Sequence, residues 1–359
     1  MNTFGKNVKI SLFGEIYNKC IGLTIDGIPP GCPVNLNKLR KEIKAIYDKD
    51  KSLFKFNISN FTFITGINNH ITTGAPITII LEPNSNDNNF KDGTIIPDLL
   101  DYSTYIKYYG TQKLDNNLFY NHQILKLLII AGEIAKQLLN PYKINIGSRI
   151  YTIKNIKDEE IEYNNLTYSN FITMLDETLP MINKRAVIAC NGEIKKAKSL
   201  NESLGGIIET FIFNVPITLG NPLFDGFEST LSKVLFSIPF IRGITFGDII
   251  QDIKKYGSKT IDELEYHDNE LIFNGNHQSG ISNGITNGNL INFKTYIKSP
   301  SNIPKIIKSV NIITKQNIEI SSTQNYNITY IPDAIYLVEA LSYIVILDLI
   351  MENNKIKEV

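Results

Sequence analysis

The sequence predicts an α+β layered sandwich formed by a single domain of residues 1–359. Predicted strands come in groups separated by single long helices, which fits such a sandwich better than a regular alternation of strand and helix. Residues 122–139 place apolar side chains on nearly every side of a helix, as expected for a helix buried between two layers. Hydrophobic residues make up 43% of the 359 residues, so the chain can bury a substantial core.

The first half of the chain predicts two pairs of strands and two helices. Apolar residues interrupted by a turn predict strand, turn, strand over 6–26, and the Pro29-Pro30-Gly31 sequence ends this unit. Apolar residues at helical spacing predict a helix over 35–48, and two apolar runs predict buried strands over 61–64 and 76–81. The polar segment 84–117 is too long for an ordinary connection, which indicates a functional or mobile loop.

The second half predicts further strands, a mixed helical region and a long final helix. After the helix 122–139, which Asn140-Pro141 ends, residues 144–153 predict a strand and residues 158–184 an exposed helical stretch of mixed charge. β-Branched and aromatic residues or alternation predict strands, and apolar spacing predicts helices, over the following ranges: strands 206–216, 241–246 and 290–298, helices 224–237 and 333–351. The Asn- and Gly-rich segment 267–288 predicts a loop.

Composition excludes several classes of protein. Lys plus Arg and Asp plus Glu number 36 each, so no net charge draws the molecule to nucleic acid or an anionic membrane. Three cysteines without a CxxC pair, and four histidines without ligand spacing, argue against a disulfide framework and a metal site. Charged residues break the longest apolar stretches short of a membrane span. We therefore expect a cytoplasmic protein that binds neither nucleic acid nor membrane.

Short motifs along the whole chain resemble those of one enzyme family. Residues 13–15 and 25–31 resemble FGESHG and IDGxPxG, residues 72–77 resemble TTGTPI, and residues 131–136 (AGEIAK) resemble AGAIAK. The strongest stretches lie further on: residues 203–209 resemble DSVGGxVE, 219–225 GLGEPxFD, 237–244 SIPAVKGV, 284–288 GGITNG, and 298–303 KPTPSI. Because these matches are collinear, the chain is identified as a member of the chorismate synthase family.

The resemblance implies a fold, a reaction and an assembly. The family fold is a β-α-β sandwich in which two antiparallel sheets enclose long helices, and its members usually form homotetramers. The family reaction eliminates phosphate from 5-enolpyruvylshikimate 3-phosphate to give chorismate, in the shikimate pathway of aromatic amino-acid biosynthesis. Its essential cofactor is reduced FMN.

The family's proton-handling residues are replaced in this chain. By alignment with the family motifs, the two histidines correspond to Tyr17 and Leu99, and the aspartate corresponds to Asn327. A tyrosine titrates far above neutral pH, and neither leucine nor an amide can accept a proton at pH 7. The resemblance therefore implies degenerate counterparts at all three catalytic positions.

The arginine-rich anion-binding segments of the family have also changed. The RRxPG loop falls at residues 45–49, the Arg of RPGH falls at Ile96, and the glycine-rich flavin and substrate loop falls at residues 116–118. Each loss removes a charge-assisted contact with phosphate, worth about 1.5 to 3 kcal/mol. Together, three or more such losses predict an affinity lower by several orders of magnitude.

Contacts that backbone amides make with FMN are the ones most compatible with the replaced side chains. The residues that correspond to family cofactor contacts by position are Ser203, Gly205, Gly206, Gly284, Thr286, Asn287, Lys298 and Asn302. Amide groups of glycine-rich loops can bind phosphate, although turn geometry explains the glycines equally well.

Three functional hypotheses follow from this pattern. The favoured one is a family member with little or no turnover, retained as a binding module or scaffold subunit. The alternatives are an active but divergent chorismate synthase and a protein that binds another ligand in the same cavity.

Overall fold

The computed structural model describes residues 2–15, 19–49, 61–82, 93–97, 101–111, 122–163, 166–175, 179–321 and 326–357. Two five-stranded sheets contain the long strands of this part of the chain. The first has the order β1-β2-β3-β7-β4 and the second the order β11-β16-β10-β8-β9, with antiparallel pairing throughout. The strands of the two sheets are β1 Thr3–Phe4, β2 Lys9–Gly14, β3 Ile21–Asp26, β4 Phe61–Thr65, β7 Ile77–Leu81, β8 Asn145–Ile153, β9 Ile156–Lys157, β10 Gly206–Phe213, β11 Ile241–Phe246 and β16 Ile291–Ile297.

Four small ribbons accompany the sheets. Their strands are β5 Ile67–Asn68 with β6 Ile71–Thr72, β12 Glu263–His267 with β13 Glu270–Asn274, β14 Ile281–Ser282 with β15 Ile285–Thr286, and β17 Ile306–Asn311 with β18 Gln316–Ser321. The α-helices are α1 Leu36–Lys49, α2 Asp101–Lys107, α3 His122–Leu138, α4 Tyr168–Met174, α5 Lys184–Ser199, α6 Phe227–Leu235, α7 Ile249–Asp252 and α8 Ile331–Lys357.

Helices α3 and α8 form the middle layer. Helix α3 packs against β3 of the first sheet, and α8 packs against β8 and β10 of the second. A side chain at Gly132 of α3 would lie 2.3 Å from the Cβ of Ala340 in α8, so glycine allows the two helices to cross closely. The buried apolar residues of both sheets and both helices form one connected core. The described chain therefore has the predicted sandwich, and α3 is buried between two layers as expected.

The expectation of an exposed helical stretch over 158–184 is wrong. Residues 158–163 run without regular secondary structure, α4 covers only seven residues, and the long helix α5 begins where the predicted stretch ends. Phe171 of α4 packs on β8 at Gly147, where a Cβ would lie 2.5 Å from its ring. Tertiary packing of single aromatic residues, which helical periodicity does not show, determines the conformation of this segment.

The expectation that charged residues break the longest apolar stretches short of a membrane span is wrong for the C-terminal helix. Residues Ile331–Asn354 are long and apolar enough to cross a membrane by length and composition, and 83% of their most apolar window is buried inside the protein. The burial explains the composition, because a helix between two sheets must be apolar on every side. The segments predicted as loops also contain regular structure: residues 84–117 contain α2, and residues 267–288 contain strand β13 and the ribbon β14–β15.

Candidate functional site

Asn327 lies at one end of the second sheet, beside two of the predicted cofactor segments. The amide N–H of Leu204 donates to the carbonyl of Ile328 at 2.7 Å, so the segment containing Asn327 lies against the turn that precedes β10. The hydroxyl of Ser203 donates to the carbonyl of Pro300 at 2.5 Å, which adds the turn that follows β16. We call this meeting of residues 203–206, 298–302 and 326–328 the Ser203 corner.

The glycines of the Ser203 corner are required by close backbone approach. A Cβ on Gly205 would lie 2.6 Å from the carbonyl oxygen of Ile297, and a Cβ on Gly206 would lie 2.1 Å from that of Thr152. Real Cβ atoms do not approach a carbonyl oxygen so closely, so these positions exclude larger residues. Strand packing alone thus accounts for both glycines.

A buried hydroxyl group adjoins Asn327. The Oη atom of Tyr326 is inaccessible to solvent and has no hydrogen-bond partner among the described residues. An unsatisfied buried hydroxyl costs about 1 to 3 kcal/mol. Nearby, Tyr330 stacks on Phe240 with ring centroids 4.7 Å apart, and burial raises the pKa of Tyr330 to about 12.

The polar groups of the Gly284–Asn287 loop hold the loop itself in place. Thr286 donates its hydroxyl to the carbonyl of Pro216 at 2.6 Å and accepts from the amide of Leu219 at 2.9 Å. Asn287 donates its side-chain amide to the hydroxyl of Ser282 at 3.2 Å. A Cβ on Gly284 would lie 2.7 Å from the carbonyl oxygen of Asn221. These contacts fix the β14–β15 ribbon to the segment before α6.

The structure does not bring the two groups of predicted cofactor residues together within one chain. Gly206 is the first residue of β10 and pairs with Ile297, whereas the Gly284–Asn287 loop lies at the other end of this strand, where Ile212 pairs with Ile291. The six steps from Gly206 to Ile212 along β10 span about 20 Å. Ser203, Gly205, Gly206, Lys298 and Asn302 therefore form one group, and Gly284, Thr286 and Asn287 form another.

Two predicted catalytic positions, Tyr17 and Leu99, lie outside the described residues, as do residues 116–118 of the expected flavin loop. Their membership of a site stays a prediction. Among the residues that the structure does describe, no group of three or more His, Cys, Asp or Glu side chains could hold a metal ion.

A buried ionic network on the second sheet escaped sequence reasoning. Arg149, Glu209 and Lys294 are direct neighbours across β8, β10 and β16. Glu209 accepts from Arg149 at 2.7 Å and lies 3.4 Å from the ammonium of Lys294, which contacts Asp248 at 2.6 Å. Burial alone would lower the pKa of Lys294, but the charges of Glu209 and Asp248 outweigh it and raise the pKa. Only strand register, which the sequence did not supply, could have predicted this row.

The network also orders the covering segment. Asp158 accepts from Arg149 at 2.9 Å and from the amides of Ile182 and Asn183 at 2.8 and 2.9 Å. Asn183 is the N-cap of α5. The buried arginine thus holds both the second sheet and the start of α5 in position, which is a structural role.

Comparison with known proteins identifies first the architecture and then the family. A solved structure described as a chorismate synthase superposes with a TM-score of 0.76 at 21% identity, covering 98% of this chain and 93% of the other, and so shows the same α+β fold. The family model described as chorismate synthase matches residues 8–351. The chain belongs to the chorismate synthase family, which confirms the resemblance found in its motifs.

Relatives in distant organisms match along the whole chain. A chorismate synthase of Dehalococcoides mccartyi is 28% identical over 100% of this chain and 99% of its own length. One from Lancefieldella parvula is 30% identical over 97% and 95%, respectively. A chorismate synthase of Methanocaldococcus jannaschii is 28% identical over 99% and 97%.

Proposed function

We propose that this chain keeps the chorismate synthase scaffold and has little or no capacity for the family reaction, the elimination of phosphate from 5-enolpyruvylshikimate 3-phosphate. The observation that carries the proposal is the Ser203 corner, whose three segments meet in this chain. There, Asn327 corresponds by alignment to the aspartate of the family motif. An amide can hold geometry but cannot accept a proton at neutral pH. General acid–base groups contribute typically 10²- to 10⁴-fold to a rate.

Loss of guanidinium groups supports the same conclusion. Ala45 and Ile96 stand in segments where the family motifs carry arginine, and their neutral side chains cannot form charge-assisted pairs with phosphate. A substrate that bears phosphate and carboxylate groups therefore loses affinity as well as proton transfer.

Reduced FMN is the cofactor that the family implies, and one of the two predicted groups fits it. At the Ser203 corner, the ammonium of Lys298 and the side-chain amide of Asn302, both on half-buried residues, would hold its phosphate and polar edges. When bound, reduced FMN supplies an electron-rich ring for the elimination. The Gly284–Asn287 loop does not fit the same FMN within one chain, because it is about 20 Å away and its polar groups are engaged.

The remaining proposals follow from family membership. The chain forms a single domain, assembles as a homotetramer and acts in the cytoplasm without binding nucleic acid or membrane. Light scattering tests the assembly, and a monomer would contradict it. A non-catalytic binding or scaffold role accounts for an intact fold with altered catalytic positions.

An active but divergent chorismate synthase is the second candidate. The observation in its favour is the 28–30% identity to chorismate synthases over almost the whole chain. Lysine ammonium groups and backbone amides would then replace the missing guanidinium groups.

One assay separates these functions. The purified protein is incubated without oxygen with reduced FMN and 5-enolpyruvylshikimate 3-phosphate, and chorismate formation and the flavin spectrum are followed. A chorismate synthase such as that of Dehalococcoides mccartyi serves as the positive control. We expect flavin binding without turnover, whereas turnover at the rate of the control would establish the divergent enzyme instead.

A further inference from the structure

The contact between α1 and α3 contains two carboxyl groups and one ammonium group. The Nζ atom of Lys136 lies 3.4 Å from Oε2 of Glu133 and 3.7 Å from Oε2 of Glu42. The side chain of Glu133 is 13% exposed and that of Glu42 is 28% exposed. Two acidic groups from different helices thus lie in a largely covered space on either side of one shared lysine, Lys136.

One oxygen atom of each carboxyl group lacks a hydrogen-bond donor. Oε2 of Glu42 and Oε2 of Glu133 are both inaccessible to solvent, and neither accepts a hydrogen bond from any donor in the described chain. The Nζ atom of Lys136 lies 3.7 Å from the first of these oxygens and 3.4 Å from the second, which places the two carboxyl groups beside each other. Two ionised carboxylates in this position would repel each other, whereas one proton between the two oxygens satisfies both.

Charged and titratable groups from three other directions face this pair. Lys38 of α1 lies 3.8 Å from Oε1 of Glu42, while Glu339 of α8 and Tyr168 of α4 act on Lys136 from the other side. Tyr343 of α8 also interacts electrostatically with Glu133. Burial raises the pKa of Tyr343, so this tyrosine stays uncharged at neutral pH. Two lysines therefore face three carboxyl groups, so ionisation of both members of the pair would leave one negative charge uncompensated.

The titration behaviour agrees with the geometry. Burial, followed by the hydrogen bond to Glu42, raises the pKa of Glu133 to about 8. Burial alone would raise the pKa of Glu42 too, but the hydrogen bond from Glu133 and the charges of Lys136 and Lys38 lower it. At neutral pH, Glu133 therefore holds the proton of the pair.

We propose that Glu42 and Glu133 share one proton across the α1–α3 interface, so that the docking of α1 on the core is coupled to protonation. Glu133 stands where the resembled AGAIAK motif has alanine, so this coupling is a property of the present chain. Helix α1 ends with residues 45–49, which align with the family's anion-binding RRxPG loop. Loss of the proton thus loosens the helix that carries this segment.

The sign of the effect follows from linkage. The pKa of Glu133 is near 4.5 in the unfolded chain and about 8 in the folded protein, so the folded state holds a proton that the unfolded state releases. The stabilisation is fully present below about pH 4.5 and is lost progressively as the pH rises to about 8.

The test compares wild type with Glu133→Gln, whose amide keeps a donor toward Glu42 but cannot ionise. Urea unfolding is measured between pH 5 and 9, and the unfolding constant of wild type is divided by that of the variant. We expect this ratio to rise about tenfold per pH unit between pH 5 and 8 and then to level off. A ratio that stays constant with pH overturns the proposal.

Two further measurements keep the test independent of one variant. Glu133→Ala restores the alanine of the resembled motif, and its unfolding constant should also lack the pH-dependent rise of wild type. Calorimetry at pH 7 in buffers of different ionisation enthalpy should show that wild type releases about one proton more on unfolding than either variant. Equal proton release by wild type and both variants would refute the shared proton.

Discussion

Two lysines follow β16, one at the proposed cofactor site and one in an exposed ion pair. Lys298 begins the KPTPSI-like motif at the Ser203 corner, whereas Lys305 forms an exposed ion pair with Glu202 whose side chains are 43% and 45% exposed. Exposed pairs contribute at most about 1 kcal/mol, so Lys305 has little energetic role. The two residues therefore form a matched pair for testing the cofactor site.

We expect Lys298→Ala to weaken binding of reduced FMN by about tenfold or more, because a hydrogen bond to a charged group is worth about 1.5 to 3 kcal/mol. Lys305→Ala should leave the affinity unchanged. Flavin absorbance titration without oxygen measures both, and riboflavin, which lacks the phosphate, should bind wild type and Lys298→Ala alike. Equal effects of the two lysine variants on FMN would contradict the proposed contact.

The buried network gives a second prediction at the scale of single residues. Arg149 and Glu209 have fully buried side chains, so Glu209→Gln leaves two cations without their central carboxylate. Breaking a buried ion pair costs about 3 to 5 kcal/mol. Urea unfolding should show a loss of this size, whereas the exposed control Glu202→Gln should lose less than about 1 kcal/mol. A similar small loss for both variants would show that the network is not stabilising.

At the scale of elements, one carboxylate of α8 secures the N-terminal strands. Asp348 accepts from the amides of Lys6, Asn7 and Val8 at 2.7 to 3.2 Å, and Asp348 itself is buried. Three successive backbone donors directed at one carboxylate form an anion nest. The connection between β1 and β2 thus depends on the last turns of a helix far along the chain.

Asp348→Asn should therefore free this connection. An amide oxygen carries no charge, so each of the three hydrogen bonds weakens, and we expect a loss of about 2 kcal/mol. Hydrogen exchange at the amides of residues 6–8 should accelerate while exchange in α3 stays slow. Glu352→Gln, at the exposed ion pair with Lys6, is the control and should leave this exchange unchanged. Unaltered exchange in Asp348→Asn would contradict the role of the nest.

Elements with a strong local pattern were predicted well. Strand β11 has the predicted bounds, and α1 and α3 differ from the predicted bounds by no more than one residue at either end. Helix α8 begins two residues earlier and ends six residues later than predicted. These elements were predictable because apolar periodicity directly indicates which face is buried. The ribbon β12–β13 was missed since every described residue of β12 is exposed and no alternation marks it. The segment 158–184 was misjudged because Asp158 is fixed by Arg149, a contact set by strand pairing.

Motifs located the site only in part. The order of the family motifs predicted which residues belong to the site. It did not predict that the segments containing Ser203 and Asn327 meet, or that Gly284 lies at the opposite end of β10. Contacts between residues distant in sequence depend on sheet register, which a single sequence does not specify. The proximity of Glu42 to Glu133 was not predicted either, because it depends on how α1 packs on α3, although both residues lie on correctly predicted helices.

At the scale of the whole molecule, scaffold and catalytic positions differ in how well they match the family. The fold superposes on a chorismate synthase along 98% of the chain, and the family model spans residues 8–351. By contrast, we propose that the counterparts of the family's catalytic residues are Tyr17, Leu99 and Asn327. Because folding depends on apolar packing and catalysis on a few ionisable groups, a chain can retain the former without the latter.

The most direct test compares the rate of chorismate formation by wild type with that of the triple variant Tyr17→His, Leu99→His, Asn327→Asp, both saturated with reduced FMN. Restored proton donors and acceptors should raise the rate by at least about 100-fold over a wild type whose turnover is close to background. A wild type that already forms chorismate at the rate of the Dehalococcoides mccartyi control enzyme would contradict the proposed loss of activity.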